Sequence, residues 1–124
     1  MLIVDDEDAV RSVARNTLQR RGYRAIEAAD GREALEVYRR FAGEISLVLL
    51  DLTMPYMNGE EVLRELKVIT PTVKVLLSSG FNEVEAVRRF TGKGLAGFLQ
   101  KPYSAALVAE TIKRILSGEN LSAV

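Results

Sequence analysis

The chain has no cysteine, no histidine and no tryptophan in its 124 residues, and only three prolines. Without Cys or His there is no disulfide scaffold, no iron–sulfur cluster and no thiolate or imidazole zinc site. A cysteine nucleophile and a Ser-His-Asp triad are excluded as well. Acid–base chemistry is left to carboxylates, Lys or Tyr. An excess of either charge is also missing, since 17 basic side chains balance 17 acidic ones. A broad basic footprint is therefore absent, and direct nucleic-acid binding is not expected. No apolar run approaches the ~20 residues of a membrane span, and the opening MLIVDDED is too short and too acidic for a signal peptide. The expectation is a cytoplasmic, single-domain globular chain with no membrane segment.

What is present is a repeated switch between short apolar runs and helical spacing. Leu2-Ile3-Val4 stops at Asp5. Val10, Val13, Ala14, Thr17 and Leu18 then mark an inward helical face that ends before Gly22, a C′ residue. Tyr23 to Ala28 reads as a short strand. Asp30 and Glu33 form a capping-box pattern ahead of a helix that buries Ala34, Leu35, Tyr38 and Phe41. Leu47 to Leu50 is a second apolar run, stopping at Asp51. After Asn58-Gly59, the residues Val62, Leu63, Leu66 and Ile69 mark a helix closed by Thr70-Pro71. Val73 to Leu77 is the next strand and runs into Ser78-Ser79-Gly80. A helix over Glu83 to Phe90, a strand at Phe98-Leu99 and a final helix capped by Ser104 complete the series. That last helix is expected to turn Leu107, Val108, Thr111, Ile112, Ile115 and Leu116 inward.

Strands apolar on both faces that alternate with helices imply a parallel sheet covered on each side. Five such units suit an α/β, flavodoxin-like, doubly wound (βα)5 domain with strand order 2-1-3-4-5; a closed eight-fold barrel needs about 250 residues. Residues 1–118 are expected to form the domain and 119–124 a frayed tail. In such a sheet, ligands bind beyond the carboxyl ends of the strands. Those ends carry Asp5-Asp6, Asp51, Ser79 and Lys101. Three clustered carboxylates raise one another's pKa unless a cation joins them. Oxygen-only donors suit a hard ion such as Mg²⁺ or Mn²⁺. Lys101 can pair with Asp51 or with a phosphoryl oxygen, and the Ser79 hydroxyl can donate to another. The group that fits is a phosphoryl carried on Asp51 as nucleophile.

The segments LIVDDED, LVLLDLTMPYMNGEE, VLLSSG and FLQKPYS together resemble the receiver domain of two-component response regulators, from Leu2 to about Leu116. The resemblance implies that Asp51 is the phosphoacceptor, and that Asp6 binds Mg²⁺ directly and Asp5 through water. The Thr53 backbone carbonyl would be a further ligand, Ser79 the switch hydroxyl, Phe98 the switch aromatic and Lys101 the phosphate-binding lysine. It also implies a cis Lys101–Pro102 bond. The phosphodonor would be a histidine kinase or phosphotransfer protein, and the partner on the other side a downstream output domain or protein. The output surface would include Val84, Val87, Arg88, Phe98 and Tyr103. The segments LLSSGF and MPYMNGEE are similar to receivers attached to hybrid sensor kinases. The abrupt start at Met1 and the lack of an output domain are expected of a module excised from a longer protein.

Other residues carry blander readings. Glu7 and Asp8 suit a helix N-terminus, and Arg11, Arg15, Arg20, Arg21 and Arg24 suit solvated faces. Gly80 leaves the site open, whereas the adjacent Phe81 shields it. The segment TGKGLAG lacks the GxxxxGK[ST] pattern of a phosphate-binding loop. One enzyme alternative rests on Asp6-Glu7-Asp8-Ala9-Val10, which matches the DxDx[TV] motif of haloacid-dehalogenase-type phosphatases with Asp6 as nucleophile. That family offers no role for a lone Asp51 and expects a second acidic pair late in the chain.

Overall fold

The computed structural model describes residues 1–52, 57–80 and 94–118 of the chain. Five strands are β1 (Leu2–Val4), β2 (Ile26–Ala28), β3 (Val48–Asp51), β4 (Val75–Ser79) and β5 (Gly97–Gln100). The helices are α1 (Asp8–Arg20), α2 (Gly31–Phe41), α3 (Gly59–Ile69) and α4 (Ala105–Leu116), with a 3₁₀ turn at Ala42–Glu44. All strand pairings are parallel, in the expected order β2-β1-β3-β4-β5. The expected helix over Glu83 to Phe90, with Val84, Val87 and Arg88, lies outside the described residues. So do Thr53, Phe81 and the tail 119–124.

Alternation along the strands splits the interior into two layers. Leu2, Val4, Val48, Leu50, Val75 and Leu77 pack with Leu35 and Tyr38 of α2 and with Val62, Leu63 and Leu66 of α3. Ile3, Leu49, Leu76 and Leu99 pack with Leu18 of α1 and with Val108, Ile112 and Ile115 of α4. Both faces of the sheet are thus covered, as near-continuous apolar strands require. Two helical positions expected inside are out: Val13 is 51% exposed and Leu107 is 47% exposed. Each sits one residue, about 100°, from a buried neighbour, Ala14 or Val108, and rotates off the buried stripe. The buried threonines of α1 and α4 satisfy themselves locally. Thr17 Oγ1 donates to the Val13 carbonyl at 2.8 Å and Thr111 Oγ1 to the Leu107 carbonyl at 2.7 Å.

Helix ends follow the local chemistry closely. Gly22 has φ +86°, and the Tyr23 amide donates to the Leu18 carbonyl at 3.0 Å while the Gly22 amide donates to Gln19 at 3.1 Å. That is a Schellman closure, and it draws Tyr23 out of the expected strand, leaving only Ile26–Ala28 paired. Asp30 accepts from the Glu33 amide at 2.9 Å, but Glu33 accepts from Ala29 at 3.3 Å rather than from Asp30. The full reciprocal box is at α3, where Asn58 accepts from Glu61 at 3.0 Å and Glu61 accepts from Asn58 at 3.4 Å. Ser104 caps α4 through the Leu107 amide at 3.0 Å. Asn58→Ala should therefore cost about 1 kcal/mol in urea denaturation; an unchanged midpoint would contradict the cap. Strand β4 begins at Val75, because the Val73 amide closes a turn onto Thr70 at 3.0 Å, and continues through Ser79 by pairing with β5. No helix among the described residues is long and apolar enough to cross a membrane.

Candidate functional site

The sheet order brings β1 and β3 side by side at its centre, while the chain leaves them toward opposite edges. That reversal opens the crevice in which α/β sheets bind ligands. Asp5 follows β1 and Asp51 ends β3; they are 2% and 4% exposed. Asp6, next in the loop, is exposed. Carboxylate oxygens of Asp5, Asp6 and Asp51 all lie within 4.8 Å of one another.

Lys101, just beyond β5, reaches this group from the far side of β4. Its amide donates to the Ser79 carbonyl at 2.8 Å, anchoring its backbone. Its Nζ lies 2.7 Å from Asp5 Oδ2, 3.3 Å from Asp51 Oδ1 and 3.9 Å from Glu7 Oε1. The ammonium therefore bridges two aspartates and sits nearer Asp5, where the sequence suggested Asp51 alone. Asp5 is held at both oxygens, because Oδ1 accepts from the Glu7 amide at 2.9 Å. The Lys101–Pro102 peptide is cis, as the resemblance implied. Ser79 is 2% exposed at the end of β4, opposite Gln100 of β5.

The electrostatics follow from burial and charge count. Burial first, then the Asp5 charge, push the Asp51 carboxyl up to about 6, against the opposing pull of Lys101. For Lys101, burial favours the neutral amine, but the hydrogen bond to Asp5 and the charges of Asp51 and Asp5 outweigh it. The net shift is upward and the ammonium stays charged. Burial, followed by the Asp5 charge, pushes the Tyr103 phenol up to about 12. Three carboxylates facing one ammonium leave a net negative pocket made of oxygen donors only. Oxygens this close can share one hard ion directly or through its waters, so the residues fit Mg²⁺ or Mn²⁺.

A cleft of about 540 Å³ flanks the acidic group and is lined by Glu7, Val10, Gly80, Lys101, Pro102 and Tyr103 among others. Among the described residues, no atom stands within 4 Å of where a Cβ on Gly80 would project, in keeping with an open approach. The two described members of the expected output surface pack against different layers. Phe98 is half-buried against the α2/α3 layer, whereas Tyr103 packs against the α1/α4 layer.

Three residues near the site make contacts that the sequence did not reveal. Glu7 stands at the N-cap of α1, as a helix-end acid should, and its exposed carboxylate also lies 3.9 Å from Lys101. Arg11 does not cover a solvated face: its side chain is 13% exposed and donates to the Asp5 carbonyl at 2.6 Å. It also pairs with Asp8 and, at 3.5 Å, with Glu27. Arg15 reaches Glu27 at 2.8 Å. The available signals were a glutamate inside the short strand Ile26-Glu27-Ala28 and two arginines spaced i, i+4.

The model of the response regulator receiver domain matches residues 1–113, and the chain belongs to that family. It is 41% identical to the sensor kinase CckA of Brucella abortus over 120 residues, which is 97% of this chain and 13% of the kinase. The crystal structure of the receiver domain from the hybrid histidine kinase CckA superposes with a TM-score of 0.78 at 39% identity, covering 93% of this chain and 96% of that one. A CheX–CheY–BeF3–Mg²⁺ complex from Borrelia burgdorferi gives 0.87 at 30% identity, covering 92% and 86%. The chain is thus a CheY-like receiver domain of two-component systems, a signalling domain.

Proposed function

We propose that this domain is a phosphoacceptor switch in which Asp51 takes a phosphoryl group from a phosphohistidine and returns it to water. The observation that carries the reading is the Lys101 ammonium held between Asp5 and Asp51, at 2.7 and 3.3 Å, beside a third carboxylate at the sheet's switch point. With its pKa near 6, Asp51 is ionised at neutral pH and able to attack phosphorus. A carboxylate oxygen forms the new P–O bond as the P–N bond of the donor breaks, and the imidazole nitrogen keeps the electron pair.

Asp5, Asp6, Asp51 and the Thr53 backbone carbonyl would hold Mg²⁺ or Mn²⁺. What such an ion supplies when bound is neutralisation of the carboxylates and of charge on the transferring oxygens. Lys101 exchanges its contact with Asp51 for a phosphoryl oxygen, and the Ser79 hydroxyl donates to another. Phe98, on the strand paired with β4, is the aromatic that responds. Residues 1–118 form the working unit. The donor is a histidine kinase or phosphotransfer protein in the cytoplasm, and a downstream domain or protein reads the state. Identity to CckA supports a receiver of hybrid-kinase type, and the BeF3 and Mg²⁺ of the Borrelia complex support the ion and the anion.

Intact mass after incubation with acetyl phosphate and Mg²⁺ tests this. The native chain should gain one phosphoryl group, and Asp51→Asn none. Labelling that persists in the variant, or moves to Asp6, would overturn the assignment and favour the dehalogenase-type phosphatase.

A further inference from the structure

The loop that carries Asp5 and Asp6 joins β1 to α1, and a side chain from the first turns of α1 folds back over it. The Arg11 guanidinium donates to the Asp5 backbone carbonyl at 2.6 Å, pairs with Asp8 and stands 3.5 Å from Glu27 on β2. Glu27 is opposite Ile3 of β1 and is also gripped by Arg15 at 2.8 Å, so the anchor belongs to the sheet. The Arg11 side chain is 13% exposed, and its planar fork can serve a carbonyl and a carboxylate at once.

The Asp5 carbonyl and the Asp6 amide are one peptide plane. Fixing that oxygen places the Asp6 Cα and narrows the directions in which its side chain can leave the backbone, with the Asp6 φ and χ1 setting the rest. Asp6 is exposed and gets little guidance from packing, whereas Asp5 is buried and held at both carboxylate oxygens. Resting on the reading of the acidic group as a metal-dependent phosphorylation site, we propose that Arg11 is a positioning residue. It clamps the Asp5–Asp6 peptide to Glu27 and so aims the Asp6 carboxylate at the ion.

The test is Mg²⁺ titration of the full chain, followed by backbone amide shifts of Asp6 and Glu7, for the native protein, Arg11→Ala, Arg11→Lys and Glu27→Gln. Arg11→Ala should raise the Kd for Mg²⁺ about tenfold, the lower range for residues that orient metal ligands. Its phosphorylation by acetyl phosphate should slow at limiting Mg²⁺ and recover at saturating Mg²⁺, a split that a general loss of stability would not produce. Arg11→Lys keeps the charge without the fork and should stay weak. Glu27→Gln should move the Kd in the same direction by less, and it remains informative if Arg11→Ala does not fold. A Kd within twofold of native in both Arg11→Ala and Glu27→Gln, or full recovery in Arg11→Lys, would overturn the clamp. Absence of Mg²⁺ binding by the native chain would instead overturn the site reading and the clamp with it.

Discussion

Asp51→Asn should be more stable than the native chain by about 3 kcal/mol at pH 7.5 in EDTA, and the two should converge near pH 4. The folded pKa of about 6 exceeds the ordinary value of 3.8, so between these values the native state binds a proton that the unfolded state has released. Stability must then fall as pH rises through that window. At roughly 1.4 kcal/mol per pH unit, the loss by pH 7.5 is about 3 kcal/mol. The amide variant carries no such charge and Lys101 keeps its bond to Asp5, so the loss disappears. Added Mg²⁺ should narrow the gap, because a ligand at a hundred times its Kd stabilises the native state by about 2.7 kcal/mol and the variant has one ligand fewer. Urea melts across pH decide the matter. Equal stability at pH 7.5 would mean that the Asp51 charge is not a burden on the fold.

Gly59→Ala should lose about 3 kcal/mol, although alanine is the better helix former by roughly 1 kcal/mol. Gly59 opens α3 against the end of β3. A Cβ there would lie 2.8 Å from the Asp51 carbonyl oxygen and 2.8 Å from Leu52 Cα. Both are backbone atoms. The Gly59 amide donates to the Leu52 carbonyl at 2.8 Å, and the Leu52 amide to the Ser78 carbonyl at 2.9 Å, so the contact cannot relax without shifting Asp51, the proposed phosphoacceptor. Gly43→Ala is the control: nothing lies within 4 Å of its Cβ position, so a change within about 0.5 kcal/mol is expected. Denaturation of both variants, with the phosphoryl mass gain as a second readout, checks the contrast. A Gly59→Ala protein as stable as native would refute the close approach.

The acidic group was legible because its signal is local. Apolar runs that stop at Asp5, Asp51 and the Ser78-Ser79 pair mark strand ends, and a parallel sheet aligns those ends on one edge. The sheet covered on both faces followed from strands alternating with helices, and the strand order from the flavodoxin-like fold class that five such units suit. Periodicity is weaker at helix margins: it gives a face but not its limits, which is why Val13 and Leu107 fell on the wrong side. The Arg11–Glu27 pair was hidden for another reason. It joins residues from different elements, and only the packing of α1 across β2 brings them together. The choice of Lys101 between Asp5 and Asp51 was likewise open, since it depends on ångström differences at the tip of a flexible side chain.

Lys101 is held at two points: its tip between the central aspartates and its amide on the Ser79 carbonyl, next to the outermost strand. The rim of the sheet is in this way tied to its middle by a side chain as well as by the β3–β4–β5 pairing. A phosphoryl group that drew the ammonium away from Asp51 would therefore load the junction of β4 and β5 first, through the bond between the Lys101 amide and the Ser79 carbonyl.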